Sequence, residues 1–251
     1  MICFTLAASH GGIVHASSLS FDFDFDFSNT STFNLDDFTF NGSAAPHGRR
    51  FDLTDNSYNA TLFADVGRVT YVHPVPLRDS ATGEPLAHYP SSKSIPPASG
   101  GGALGLCTNS CLNASAVADK DRFVAVEFDT FSNPFDPNLT KDHMGIDLSS
   151  LRSLANITLP SFSLNGTMSA RVDYNSNTGV MNVELKFDHS PMFGYATATY
   201  NMSAKVNLTT ALPEQVAIGF SAATGRRREL HQLLSWSFSL ISPSTDPASN
   251  V

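Results

Sequence analysis

The stretch that decides the reading is Phe123-Val-Ala-Val-Glu127-Phe-Asp129-Thr-Phe131-Ser-Asn133-Pro-Phe-Asp136-Pro-Asn-Leu-Thr-Lys-Asp-His143-Met-Gly-Ile-Asp147. It begins as a strand. Val124, Val126 and Phe128 alternate with Ala125, Glu127 and Asp129, so one face is apolar and the other carries both carboxylates. Two acids on one face of a strand repel each other unless a cation lies between them. Asn133, Asp136 and His143 follow on a short segment stiffened by Pro134 and Pro137. Oxygen donors of this kind suit Ca²⁺, and a carboxylate set that adds one imidazole suits a transition ion such as Mn²⁺. An acidic strand edge followed by a solvated loop does not account for five donors within seventeen residues.

Outward from this stretch, alternation and turns dominate. Leu19 to Phe27 alternates Phe with Asp, a half-buried strand with Phe inward. Further strands are expected at 38–40, 60–63, 68–71, 105–107, 123–130, 143–147, 167–174, 180–187, 198–206 and 216–222, with a last one at 233–241. Asn41-Gly42, Ala81-Thr-Gly83, Asn165-Gly166 and Asn177-Thr-Gly179 supply turn chemistry between them. Only Arg228 to Leu234 has a helical period, one or two turns long. The expected architecture is all-β, antiparallel strands in a two-layer sandwich.

Composition agrees. The chain has 251 residues, which one sandwich domain accommodates, and its 41% apolar content with nineteen Phe supports a substantial core. A net charge of −8, with Arg226-Arg-Arg228 the one basic cluster, argues against nucleic acid. Cys3 lies in the N-terminal segment. Cys107 and Cys111 either pair across a tight loop or remain one buried and one surface thiol.

Asn-x-Ser/Thr sequons stand at Asn29, Asn41, Asn59, Asn113, Asn138, Asn156, Asn165, Asn201 and Asn207, which fits the secretory route. Met1 to Ala16 reads as a signal peptide lacking a basic start, with Val14-His-Ala16 as its cleavage pattern. Residues 17–241 then form one domain and 242–251 a tail. No run of eighteen apolar residues is present to span a membrane.

Val124-Ala-Val-Glu-Phe-Asp-Thr-Phe131, with Asn133, Asp136-Pro and His143-Met-Gly-Ile-Asp147, resembles the metal-binding signature of legume-type (L-type) lectins. That family includes the extracellular domains of plant lectin receptor kinases. The similarity continues through Gly67-Arg-Val-Thr-Tyr-Val-His-Pro-Val-Pro-Leu77, Ser99-Gly-Gly-Gly102-Ala-Leu-Gly-Leu106 and Leu212 to Gly225, and ends at Glu229-Leu-His-Gln-Leu-Leu-Ser-Trp236.

The resemblance implies the jelly-roll form of the sandwich and a secreted or extracellular carbohydrate-binding domain, often dimeric through one sheet. It implies a Mn²⁺ site of Glu127, Asp129, Asp136 and His143, with Ser153 reaching the ion through water. It implies a Ca²⁺ site of Asp129, Asn133, Asp136 and the Phe131 carbonyl. Sugar contacts fall to Gly102, Asn133 and Phe131, and Arg226 and Arg227 rim the pocket.

One departure stands out. Between Glu84 and Pro85 the family carries two further strands, and an Asp that binds sugar hydroxyls. Without them, other segments must re-pair or the fold is marginal. A degenerate lectin-fold interaction module that has lost sugar binding, or an ectodomain fragment, is the alternative.

An enzyme is not expected. Jelly-roll glycoside hydrolases place Glu-x-Asp-x-Glu on one strand with carboxylates about 5–5.5 Å apart, whereas here Phe131 stands where the third acid belongs. No Gly-x-Ser-x-Gly elbow is present.

Overall fold

The computed structural model describes residues 2–8, 21–27, 29, 33–55, 65–76, 95–108, 111, 122–136, 141–188, 191–213, 215–225 and 228–240. Alternation of apolar and polar residues is resolved there into antiparallel strands. The largest sheet runs in the order β10 (Ala155–Thr158), β9 (His143–Leu148), β8 (Phe123–Asp129), β1 (Ile2–Ala8), β14 (Gln215–Thr224), β6 (Asp65–Tyr71) and β3 (Phe38–Gly42), and β7 (Val75–Pro76) also pairs with β14. The opposing layer contains β11 (Met168–Asn175), β12 (Val180–Phe187) and β13 (Ala198–Lys205), beside the pair β2 (Phe21–Asp26) and β16 (Ser235–Leu240). A small three-stranded sheet of β4 (Ala45–His47), β5 (Arg50–Asp52) and β15 (Gln232–Leu233) completes the described strands.

One core lies between the layers. Along β12, Met181, Val183, Leu185 and Phe187 are buried while Asn182 and Glu184 face out. They meet Val124 and Val126 of β8 and Met144 and Ile146 of β9. The Phe/Asp repeat behaves as its alternation predicts: Phe25 and Phe27 are buried and Asp26 is exposed. The Phe27 ring stacks on Phe51 with centroids 4.0 Å apart, and Phe25 meets Phe38 edge-on at 4.9 Å.

Several expectations are corrected by the structure. Residues 105–107 are not a strand, because Leu104 and Gly105 adopt left-handed backbone (φ +59 and +70) that turns the chain. No helix forms at 228–234. Of its apolar residues Leu233 joins β15 while Leu230 and Leu234 stay exposed, and the described α-helix is Leu208–Ala211, capped by the Asn207 side chain. The strand expected at 60–63 lies outside the described residues.

Ile2–Ala8, read above as part of a leader, is here a strand paired on both edges, with β14 and with β8. A short apolar run satisfies both descriptions, and sequence periodicity does not separate them. Cys107 and Cys111 are joined as a disulfide, which resolves the alternatives left open by their spacing.

Removing the Phe27 ring is expected to cost about 3–5 kcal/mol in urea denaturation. The exposed Phe131, truncated in the same way, should stay within about 0.5 kcal/mol of the parent.

Candidate metal centre

The register of β8 on β9 builds the centre. Asp129 lies opposite His143, Glu127 opposite Gly145, and Ala125 opposite Asp147. Directly opposed residues share a face, so these groups project together, away from the main core. The face is covered: Glu127 is 3% exposed, Asp129 2%, and His143 and Asp147 0%. Beside it a second apolar cluster forms from Phe123, Ala125, Leu104, Leu106, Cys107 and Leu151. Strand β8 is therefore buried on both faces, and its acids sit in a nearly dry site.

Ligand atoms of Glu127, Asp129 and His143 all lie within 4.8 Å of one another. The imidazole is aimed by its Nδ1, 3.1 Å from the Lys141 carbonyl. A carbonyl only accepts, so Nδ1 carries the proton and Nε2 faces the acids. That Nε2 is 3.6 Å from Glu127 Oε1, beyond hydrogen-bond reach, and has no partner among the described residues. Ser153 Oγ donates to Glu127 Oε1 at 2.5 Å.

The electrostatics follow from burial. Desolvation pushes the Asp129 carboxyl up to about 8, against the opposing pull of the Phe131 N–H and His143. Asp136 is raised for the same first reason. Burial disfavours charge on His143 too, but Glu127 and Asp129 outweigh it and hold the imidazole at about 9. Asp147 is pushed well above the usual carboxylate range by burial and then by the Glu127 charge. Neither of its oxygens has a hydrogen-bond partner among the described residues. Acids this crowded and this dry call for a positive charge.

The loop after β8 closes on itself. The Phe131 N–H donates to Asp129 Oδ1 at 2.6 Å. The Asn133 backbone N–H donates to Asp136 Oδ2, as does its side-chain Nδ2 at 3.0 Å. Asn133 Nδ2 lies 3.4 Å from Asp129 Oδ2. Asp136 thus stands beside the triad with its carboxylate turned to Asn133.

Above this loop, Gly102 lies so close to the Asn133 amide that a Cβ there would collide with it. The glycine segment is tied to the sheet from behind. Arg68 donates to the Gly105 carbonyl and, at 3.4 Å, to that of Leu106. Ser221 Oγ donates to the Leu104 carbonyl at 2.8 Å.

The structure thus brings together Glu127, Asp129, His143, Ser153, Asn133, Asp136 and Gly102, and leaves the Phe131 side chain 51% exposed at the rim. Arg226 and Arg227 lie outside the described residues. Two members escaped the sequence reading. Asp147 continues the alternation from His143 onto the same face, and that period was the available signal. Gly145 is the other, since a side chain there would strike the Glu127 carboxylate and the Ser153 hydroxyl.

A jelly-roll β-sandwich with a cation-ready acidic face beside a glycine loop defines a lectin-type domain. The chain belongs to the legume lectin domain family, a class of carbohydrate-binding domains, and the family model matches residues 82–250. The anti-H(O) lectin of Lotus tetragonolobus is 31% identical, the match covering 82% of this chain and 95% of that protein. Agglutinin-2 of Cladrastis kentukea is 35% identical over 69% of this chain, and the match spans 64% of that relative's length. The mannose/glucose-specific lectin of Centrolobium tomentosum is 36% identical, with 65% and 63% covered. Among solved structures, the lectin from Bauhinia forficata in complex with GalNAc superposes with a TM-score of 0.69 at 27% identity, covering 89% of this chain and 98% of that one.

A Gly145→Ala substitution, which forces a Cβ onto Glu127 and Ser153, is expected to destabilise the chain by about 1–3 kcal/mol in equilibrium denaturation.

Proposed function

We propose that this chain is a Ca²⁺- and Mn²⁺-dependent carbohydrate-binding domain that is secreted to the extracellular side. The observation that carries the reading is the buried triad of Glu127, Asp129 and His143, with Nε2 of the imidazole facing the acids without a hydrogen-bond partner among the described residues. Glu127, Asp129, Asp136 and His143 would hold the transition ion, with Ser153 reaching it through water. Asp129, Asn133, Asp136 and the Phe131 carbonyl would hold Ca²⁺. The ions supply the positive charge that the buried acids lack.

Around them, this chain's own residues do the recognition. Asn133 offers its amide, Gly102 its backbone N–H, and the half-exposed Phe131 ring a face for the apolar side of a sugar. Arg226 and Arg227 rim the pocket and tune specificity. The domain extends to residue 241, and 242–251 form a tail. The secretory assignment is supported by sequons at Asn29, Asn156, Asn165, Asn201 and Asn207, all of them exposed. Among the described residues no helix is long and apolar enough to cross a membrane. The proposed partner is a glycoconjugate, with a second copy of the chain as a further partner in a homodimer. No catalytic role is assigned to Glu127 or Asp129, whose geometry serves a cation.

A second reading is a lectin-fold interaction module that keeps the cations and has lost the sugar. The observation in its favour is that no Asp follows Glu84 where the resemblance requires one.

Calorimetric titration is expected to show uptake of both ions, and cation at a hundred times Kd should stabilise the fold by about 2.7 kcal/mol. Asp129→Asn should abolish uptake, and failure of the parent to bind either ion overturns the proposal. Phe131→Ala should keep cation binding yet weaken EDTA-sensitive retention on a mannose or galactose matrix at least about tenfold. Cation binding by the parent with silence on a glycan array selects the second reading.

A further inference from the structure

Strand β1 occupies an unusual place for a segment that begins at residue 2. It has no free edge: seven residues pair with β14 and six with β8. Among the described residues β8 and β14 share no direct pairing, and β1 is what joins them. Because β1 is antiparallel to both, β8 and β14 run parallel to each other. They are held two inter-strand steps apart, about 9–10 Å. Loss of β1 therefore cannot be repaired by sliding the neighbours together into the antiparallel ladder that the rest of the sheet uses.

The two neighbours carry the two halves of the site. On β8 are Glu127 and Asp129, and Glu127 lies in register with Cys3 of β1. On β14, Ser221 bonds the Leu104 carbonyl, and β14 ends at Thr224 beside Gly225, which packs against Gly101. The acidic strand and the anchor of the glycine loop thus keep their spacing through a segment that is itself no part of the site.

We propose that Ile2–Ala8 is a working strand of the domain, and that it clamps the cation half of the site to the glycine-loop half. Cleavage after Ala16 severs this strand from the domain and disassembles the site. Processing at that point then acts as an off-switch for ligand binding, and a chain that keeps residues 2–8 is the binding-competent form. The strand inference rests on sheet pairing alone. Its consequence for binding rests on the cation reading above.

The test is hydrogen exchange at β8 and β14, read together with Ca²⁺ and Mn²⁺ titration, on the full chain and its variants. Thr5→Pro places a residue without an N–H in a strand paired on both sides, where proline is not tolerated. Thr5→Val keeps the ladder and a β-branched side chain. Thr5→Pro should lower protection of the β8 and β14 amides about a hundredfold relative to Thr5→Val. A chain beginning at Ser17 should lose the same protection and regain it when a synthetic peptide of residues 1–10 is added.

Equal protection in Thr5→Pro and Thr5→Val overturns the proposal, and so does a chain from Ser17 as well protected as the parent. If the chain from Ser17 does not fold even with peptide, the Thr5 pair decides. Altered protection without cation uptake by the parent upholds the strand and overturns the cation reading instead. Altered protection with unchanged uptake in Thr5→Pro overturns the clamp.

Discussion

Everything near the centre of this domain depends on the difficulty of keeping several carboxylates close together away from water. Glu127, Asp129 and Asp147 line one face of adjoining strands, almost wholly buried, with one imidazole among them. Bare charges in such a place resist burial, and burial pushes the Asp129 and Asp147 carboxyls well above their usual range. A divalent cation held there would replace those protons with fixed charge. Cation uptake would then be coupled to the loop from Phe131 to Asp136, because the loop's own bonds run to Asp129 and Asp136.

This constraint explains why β8 is the pivot. One of its faces supplies Val124 and Val126 to the main core, which fixes the strand rigidly against β12 and β9. The other face supplies the acids, walled by the smaller cluster around Leu104, Leu106 and the Cys107–Cys111 pair. Donors on a strand held from both sides keep their spacing, which is what a cation site with demanding geometry requires. Glycine appears where backbone must approach a polar side chain. Gly145 leaves room for the Glu127 carboxylate, and Gly102 lets the loop rest on the Asn133 amide.

The glycine loop shows how a surface feature is positioned from beneath. Its left-handed residues, Leu104 and Gly105, direct carbonyls downward onto Arg68 and Ser221. A buried guanidinium spanning two carbonyls holds the turn without touching any ligand. Among the described residues the β14 that carries Ser221 is tied to β8 through Ile2–Ala8, so the order of the sheet and the order of the site are linked.

Much was legible before folding was considered. The period of two sorted buried Phe25 and Phe27 from exposed Asp26, and set Val124 and Val126 on the opposite face of β8 from Glu127 and Asp129, because a pleated strand puts successive side chains on opposite faces. Donor chemistry at Glu127, Asp129, Asn133, Asp136 and His143 pointed to cations, because few other environments favour that mixture at that density. Other features were decided only in three dimensions. The largely apolar run at Ile2–Ala8 has the composition of a leader and of a strand alike, and only its pairing with β8 and β14 brings out the latter. Asp147 became part of the centre through the register that sets β9 on β8, and Gly105 sits in a turn whose carbonyls, its own and those of Leu104 and Leu106, are reached by Arg68 and Ser221 from other strands. Local pattern determines which way a side chain points, whereas partners distant in sequence determine what it meets there.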